Sequence, residues 1–483
     1  MRIFEIILLI ISTFFPFYIS TRNYRLNKKT VLILIICILI LHLVLEGYRW
    51  QMFPSYLIIL ILVWCLYKEH NFFKGRWIRK IVSGITFIIV MLFGWAMPYI
   101  LPVFDLPATT GKYNIGSQYI HLKTNQEEFI TSKAGDKREL NIKIWYPAII
   151  NNDEKEPYLN EGERLGFASK YGLPKSTFNY LDNVKTNTYN SPSVAKGNFP
   201  VLIFSHGYYS NASGYYALIE EIVSHGYIVI NINHTYESTG SLFSNGEIKL
   251  YNKVYDREHN NKEMAEMIWN ATENYKKATN PKEQFNAVEN LIRNYIAAEI
   301  TIRWSKDISL VIDELEKWNN SSFLAEHINT SKIGVFGHSQ GGSAAGQALL
   351  DDKRIKAGIN IDGVQWGPMI DTIMTKPFAL ITSEWDNSHP NLNVHAYHNG
   401  SSSDFYNSKI LNSGHSNFMD IPLMINLQFI NEAGTINPNR VYKLTTEIVL
   451  QFFDMYLLDT PSNLLDLKTK YPELEIELME KNQ

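Results

Sequence analysis

Cysteine is nearly absent from this chain: its 483 residues hold two, Cys37 and Cys65, both in an apolar N-terminal part. Nothing after Cys65 carries a thiol, which excludes a disulfide framework, a cysteine nucleophile or a thiolate metal site there. Neither sign of charge dominates, since 45 Lys and Arg against 48 Asp and Glu leave a formal net charge of −3. That balance offers no global basic field to nucleic acid or anionic lipid. An H-E-x-x-H pair, a calcium-loop pattern and a glycine-rich phosphate loop are also missing, so neither metal nor cofactor is expected. No internal repeat or low-complexity tract occurs.

Long apolar runs, by contrast, are concentrated at one end. Ile3–Ser20, Val31–Glu46, Met52–Tyr67 and Ile81–Phe104 approach or exceed the length of a membrane span, which takes about 20 apolar residues. The third is short and interrupted at its start by Pro54, but its neighbours favour reading it as a span. Arg22, Arg25, Lys28 and Lys29 follow the first run, and Lys68, Lys74, Arg76, Arg79 and Lys80 follow the third, whereas the second loop has only Arg49, offset by Glu46. Positive loops stay cytoplasmic, so the fourth span delivers the rest of the chain to the extracytoplasmic side. The parity depends on the third run crossing. The first run reads as an uncleaved anchor rather than a signal peptide, because no small-residue cleavage site follows it.

From about residue 105 to 483 the composition is globular, and short apolar strands alternate with helical stretches, the pattern of an α/β sheet. Predicted strands are Leu140–Trp145, Pro200–Phe204, Tyr227–Ile232, Ile333–Phe336, Ile355–Ile361 and Pro377–Thr382. Predicted helices are Ala212–Ser224, Glu299–Trp318, Gly341–Leu350 and one near Val441–Leu458. Asn151–Asn198, rich in Asn, Lys and Ser, reads as a surface excursion with little core. Residues 238–294 are too long for an ordinary connection; they form a helix-prone insertion, either a plain surface addition or a cap over the site.

The chemistry centres on Gly337-His338-Ser339-Gln340-Gly341, with an apolar strand before it and a small-residue helix after it. This G-x-S-x-G pattern in that context is a nucleophile elbow, presenting Ser339 bare on a strained strand-to-helix turn. It points to an α/β-hydrolase fold, a mostly parallel sheet flanked by helices, preceded here by transmembrane helices. The base lies downstream. His415, in Ser413-Gly-His-Ser-Asn-Phe418, follows the last strand candidate, whereas His389, His395 and His398 sit in a polar stretch read as a solvated loop. Two carboxylates compete as the acid that fixes the imidazole: Asp362 directly after one strand, and Asp386, beside Glu384, after the next. The oxyanion hole needs two backbone N–H groups; Gln340 supplies one, and Tyr208, in Ser205-His206-Gly207-Tyr208-Tyr209, the other. His206 is read as a hydrogen-bonder that orients this loop.

Ile144-Trp-Tyr-Pro147, Phe204-Ser-His-Gly-Tyr208, Ser224-His-Gly-Tyr-Ile-Val229, Ile232-Asn-His234, Arg303 with Asp307, Gly337-His-Ser-Gln-Gly-Gly342, Ile361-Asp362 and Gly414-His-Ser-Asn-Phe-Met-Asp420 occur in that order. Together they resemble the platelet-activating factor acetylhydrolases of the plasma and intracellular type II group, over roughly residues 110 to 460. The resemblance implies that the acid is Asp362, that Tyr208 and Gln340 are the oxyanion donors, and that the enzyme is a calcium-independent phospholipase removing short or oxidised acyl chains. Gln340 in place of a frequent aromatic residue, Gly363–Pro368, and the N-terminal helices depart from that pattern. A generic carboxylesterase or lipase, and a catalytically silent membrane-anchored binding module, are the competing readings. The expected partners are a lipid or small ester and a membrane.

Overall fold

A computed structural model describes residues 1–20, 27–68, 72–73, 76–385 and 390–481. Two compact units are present. One comprises Met1–Asp105 with Ser176–Lys185 and Leu423–Asn431, the other Leu106–Lys175, Thr186–Pro422 and Glu432–Gln483.

The first unit is built on helices α1 (Ile3–Ser20), α2 (Lys28–Leu41), α3 (Phe53–Lys68) and α4 (Trp77–Ile100). With short extensions of α2 to Glu46 and of α3 back to Trp50, all four are long and apolar enough to cross a membrane. Pro54 does not shorten the third. It lies in the first turn of α3, where a missing N–H removes no helical bond. Leu8, Leu9, Ile59, Leu62 and Met91 fill the interior, while Ile33, Leu34, Ile88 and Leu92 point outward. Helices apolar on every side suit hydrocarbon rather than water. Arg49 is buried: its guanidinium donates to Glu5 at 3.1 Å and to the carbonyls of Pro98 and Leu101 at 3.2 and 2.7 Å. Glu46 accepts the N–H groups of Phe4 and Glu5 at 2.9 and 3.1 Å. The start of α1, the end of α2, the α2–α3 connection and the end of α4 therefore meet, and successive helices alternate in direction.

The second unit holds a sheet. Its strands are β1 (Asn114–Glu127), β2 (Lys137–Ile149), β3 (Lys155–Pro157), β4 (Lys185–Asn190), β5 (Ser193–Val194), β6 (Phe199–Ser205), β7 (Ile228–Asn233), β10 (Ile328–His338), β11 (Ile355–Ile361), β12 (Phe378–Ser383), β13 (Phe405–Ile410) and β14 (Leu474–Leu478). A separate hairpin joins β8 (Gly240–Leu242) to β9 (Ile248–Leu250). The order is β14-β13-β12-β11-β10-β6-β7-β2-β1-β4-β3, with β5 on β2. Neighbours from β13 through β7 run parallel, and β2 and β14 pair antiparallel at the two ends of that block. Side chains of β6, β7 and the second half of β10 are buried on both faces. Val201, Ile203 and Val335 join Trp304, Ile308 and Ala345 on one side, while Phe204 meets Phe336 at 4.7 Å and Phe336 meets Phe453 of helix Pro438–Leu457 at 6.0 Å on the other. That two-sided burial is why these stretches are mostly apolar.

Asn151–Asn198 is not the coreless excursion its composition suggests. Its asparagines cap and its apolar residues pack: Asn160 and Glu163 form a capping box on helix Glu161–Lys170, Tyr158, Phe167 and Leu181 are buried, and β4 pairs with β1. Residues 238–294 contain the β8–β9 hairpin and helices Lys253–His259, Lys262–Lys277 and Pro281–Asn294.

Replacing Arg49 with Met removes one of the two guanidinium partners of buried Glu5, the other being Arg2 at 2.7 Å, and strips the Pro98 and Leu101 carbonyls of their donor. Thermal unfolding in detergent should show a loss of about 2 kcal/mol from the orphaned carbonyls and the weakened pairing of Glu5. An unchanged variant would contradict the role of these contacts.

Candidate active site

Strand β10 ends at His338 and helix Gln340–Asp351 begins two residues later. The whole reversal falls on Ser339, whose φ of 57° and ψ of −122° lie where a side chain is rarely tolerated. Holding a non-glycine residue there costs about 1–3 kcal/mol, and the surroundings impose it. Ser339 N–H donates to the Ile361 carbonyl at 2.8 Å. A Cβ on Gly337 would lie 2.2 Å from the Gly341 carbonyl oxygen, and one on Gly341 would lie 2.0 Å from that of Ser205. Strand and helix close on one another only because neither position has a side chain.

His415 stands in a short turn beyond β13. Its Nδ1 donates to Asp362 Oδ2 at 2.7 Å. Asp362 is fully buried at the end of β11, with a φ of 53°. Its carboxylate also accepts the Ser383 N–H at 2.7 Å, the Ser383 hydroxyl at 2.8 Å and the Trp385 indole N–H at 2.7 Å. Burial alone would raise the Asp362 pKa; these donors and the neighbouring imidazole outweigh it and hold the carboxyl below its ordinary range. For His415 burial opposes the charged form, but the bond to Asp362, its charge and that of Glu432 prevail, so the imidazole pKa is raised.

The turn carrying His415 is itself fastened. Asn417 Oδ1 accepts the N–H groups of Gly414 and Gly434 at 2.8 and 2.7 Å. Asp420, fully buried and pushed up to a pKa of about 6 by that burial, accepts the N–H of Tyr216 at 2.7 Å and the Tyr158 hydroxyl at 3.0 Å. His338 ties this turn to the loop after β6. Because a carbonyl only accepts, His338 Nε2–H donates to the His415 carbonyl at 3.1 Å. Nδ1 then accepts from the Tyr215 hydroxyl at 3.0 Å, which in turn accepts the Gly207 N–H at 2.9 Å. Burial lowers the His338 pKa to about 3, keeping the ring neutral. Potential metal-ligand atoms of His338, Asp362 and His415 lie within 4.8 Å of one another, but hydrogen bonds already engage both His338 nitrogens and His415 Nδ1.

Gln340 opens its helix, so its N–H has no intrahelical acceptor. Its side chain faces the neighbouring helix Ile296–Ser321, donating to the Ala297 carbonyl at 3.0 Å and the Thr301 hydroxyl at 2.8 Å. Among the described residues the Tyr208 N–H meets no acceptor either. A Cβ on Gly207 would come within 3.3 Å of Ser339 Cβ, so the Tyr208 loop runs directly past the serine. Tyr208, Ser339, Gln340, Asp362 and His415 line one cavity of about 520 Å³, whose wall also includes Tyr295, Ile300, Trp366 and Trp385. All five residues singled out in the sequence are thus brought together.

His206 is buried and bonded to the Gly207 carbonyl at 2.7 Å and to the His234 N–H at 3.3 Å. Asp386 and His389 lie outside the described residues; Glu384 accepts the Asn412 N–H at 2.6 Å. The stretch from residue 390 to 400 is not the solvated loop its polarity suggests. His395 is buried beside Tyr275, and His398 lies 4.6 Å from the ring of Phe285. Sequence reasoning missed His338, Tyr215, Ser383 and Trp385. His338 was visible as the residue before the serine, and Asp420 as the end of the Gly414–Asp420 run, whereas Trp385 carries no local signal.

A mostly parallel sheet with a strand–serine–helix elbow, a carboxylate ending the next strand and an imidazole beyond a later one defines the α/β-hydrolase fold. The solved structure of a ferulic acid esterase from Streptomyces cinnamoneus has this architecture: it superposes with a TM-score of 0.61 at 21% identity, covering 78% of this chain and all of the esterase. The profile of the family described as platelet-activating factor acetylhydrolase, isoform II, matches residues 101–468, and the chain belongs to that family. It is similar to platelet-activating factor acetylhydrolase of Canis lupus familiaris, with 24% identity over 58% of this chain and 60% of the dog protein. With that of Cavia porcellus it shares 23% over 79% of this chain and 82% of the relative.

The raised His415 pKa should appear in an NMR titration as an imidazole midpoint above the ordinary 6.5. Asp362→Asn removes the partner charge and should bring that midpoint down. A midpoint that stays put in the variant would mean that the Asp362–His415 pair does not govern the imidazole.

Proposed function

We propose that this chain is a serine ester hydrolase acting on acyl esters of the platelet-activating-factor type. The observation that carries the reading is the 2.7 Å bond between His415 and Asp362 in the same cavity as Ser339. His415 Nε2 takes the proton of Ser339 as Oγ attacks the ester carbonyl, with Asp362 fixing the tautomer and stabilising the imidazolium. The N–H groups of Tyr208 and Gln340 receive the developing oxyanion. His415 returns the proton to the leaving alcohol; an activated water then attacks the acyl-enzyme, releasing the acid and restoring the Ser339 hydroxyl. No metal or cofactor enters these steps.

Family membership supports a lipid ester as substrate, as do the names of the dog and guinea-pig relatives. The cavity, at about 520 Å³ with tyrosine and tryptophan in its wall, falls within the range of roughly 300–1,000 Å³ usual for ligand pockets. Four alternating helices support a multi-pass membrane anchor. Lys28, Lys29, Lys68, Arg76, Arg79 and Lys80 flank the α1–α2 and α3–α4 connections. The one basic residue of the α2–α3 connection, Arg49, is buried and paired with Glu5. The positive-inside rule then puts the first and third connections in the cytoplasm and the chain after α4 on the extracytoplasmic side.

Short-chain phosphatidylcholine, p-nitrophenyl esters and triglyceride compared on wild-type and Ser339→Ala protein test the activity. The expected result is phospholipid turnover that drops by about 10⁶-fold in the variant. Rapid simple-ester cleavage beside negligible phospholipid turnover would instead favour a general carboxylesterase. Failure of Ser339 to react with a fluorophosphonate probe would point to a silent module. Protease added to intact cells should trim the catalytic unit; its protection would reverse the orientation.

A further inference from the structure

Ester hydrolysis at Ser339 leaves a buried cluster beside the Tyr208 loop without a task. Ser205, the last residue of β6, bonds His234 Nε2 through Oγ at 2.8 Å, and His234 Nδ1 bonds Asp307 Oδ2 at 2.8 Å. The residue types and order are those of a second Ser–His–Asp triad. All three are buried, with Ser205 and His234 at 0% exposure, so no ester can reach this serine. Asp307 also accepts two bonds from Arg138, at 3.1 and 2.6 Å, which hold its carboxyl well below the ordinary range. A permanent carboxylate must accept, so His234 Nδ1 carries the ring proton, and burial keeps the imidazole neutral. Nε2 is therefore an acceptor and Ser205 Oγ–H the donor. These assignments fix the direction of every bond from Arg138 to Ser205.

This chain of bonds is aimed at the loop that carries the Tyr208 N–H. His234 grips the loop twice, by its ring through Ser205 and by its backbone N–H through His206 Nε2 at 3.3 Å. The turn that His234 opens reaches the far side of Tyr208 as well, since the Glu237 carbonyl accepts the Tyr209 N–H at 3.0 Å. Residues 205, 206 and 209 are thus pinned to the turn 234–237, with Tyr208 between them. That turn is itself locked. Trp304 stacks on His234 at 3.8 Å and 5° and donates its indole N–H to Glu237 at 2.8 Å, while Arg138 and Arg303 both bind the Glu237 carboxylate. Buried ion clusters like this one are weak sources of stability but hold geometry.

We propose that His234 is a positioning residue for the oxyanion hole: the Arg138–Asp307–His234–Ser205 chain sets the backbone from which the Tyr208 N–H points at the reacting carbonyl. This rests on the hydrolase reading. An oxyanion donor acts on the transition state rather than on bound substrate, so disturbing its support affects turnover and leaves binding alone. Ser205→Ala removes the last bond and leaves the Arg138–Asp307 pair whole. Rates are expressed per active site titrated with a fluorophosphonate, so that any misfolded fraction drops out. The expected result is a kcat lowered about tenfold, with KM within about twofold. A trifluoromethyl ketone, whose adduct with Ser339 places an oxyanion in the hole, should lose affinity by the same factor. The midpoint of the pH–rate profile, set by His415, should not move. A kcat within about twofold of wild type would overturn the proposal, as would a loss carried in KM or in a shifted pH midpoint. Wild-type protein inert toward every ester would overturn the hydrolase reading and this one together, whereas an active wild type with an unaffected Ser205→Ala variant would overturn this one alone.

Discussion

A single backbone constraint underlies the site. At Ser339 the chain leaves a central strand and enters a helix with one residue to turn in, and it does so only because Gly337 and Gly341 have nothing that could collide with the Gly341 and Ser205 carbonyls. The strain stored at a φ of 57° is offset by the packing of the strand and helix on either side. The rest of the site's layout is a geometric consequence of that turn. The hydroxyl stands off the sheet, the helix N-terminus presents the Gln340 N–H, and the loop after β6 runs so close that a Cβ on Gly207 would lie 3.3 Å from Ser339 Cβ. A larger side chain at Gly207 would press on Ser339 itself.

The supporting side chains work by joining loops that have no other reason to keep their distance. His338 bridges the Gly207 loop, through Tyr215, to the carbonyl of His415. Asp420 fixes the far end of the His415 turn to the start of helix Tyr216–Ser224. Ser383, the last residue of β12, and Trp385 just beyond it saturate the carboxylate so that its remaining lone pair faces His415. Except for the exposed Trp385, each is a buried polar group whose partners are almost all provided within the fold. Such networks are stable only when complete, which ties the local order of the site to the packing of three separate loops.

How much of this was legible in the chain depends on burial. Strands β6, β7 and β12, with the buried parts of β10 and β11, are covered on both faces and stood out as mostly apolar runs. The peripheral strands did not: Phe405–Ile410 and Leu474–Leu478 interleave polar residues because one face meets water, and Asn114–Glu127 carries Ser, Gln, His and Lys among its apolar positions. The asparagine-rich stretch before β6 misled for a related reason, since composition does not tell an Asn that caps a helix from one that is solvated. Ser339 and His415 were readable because each lies in a short, glycine-marked turn. Choosing Asp362 over Asp386 took the family resemblance, as both come after strands of the same sheet. The links that cross the fold, from Trp385 to Asp362 and from Arg138 to Asp307, join residues 23 and 169 positions apart and left no local trace.

The central claim is that one hydroxyl becomes an ester during turnover. Rapid quenching of the enzyme with short-chain phosphatidylcholine, followed by peptide mass spectrometry, tests it most directly. The predicted result is an acyl mass increment on the peptide containing Ser339 that forms before product accumulates and decays as substrate is exhausted. Steady release of acyl product with no increment on that peptide, at a rate unchanged in Ser339→Ala, would contradict it.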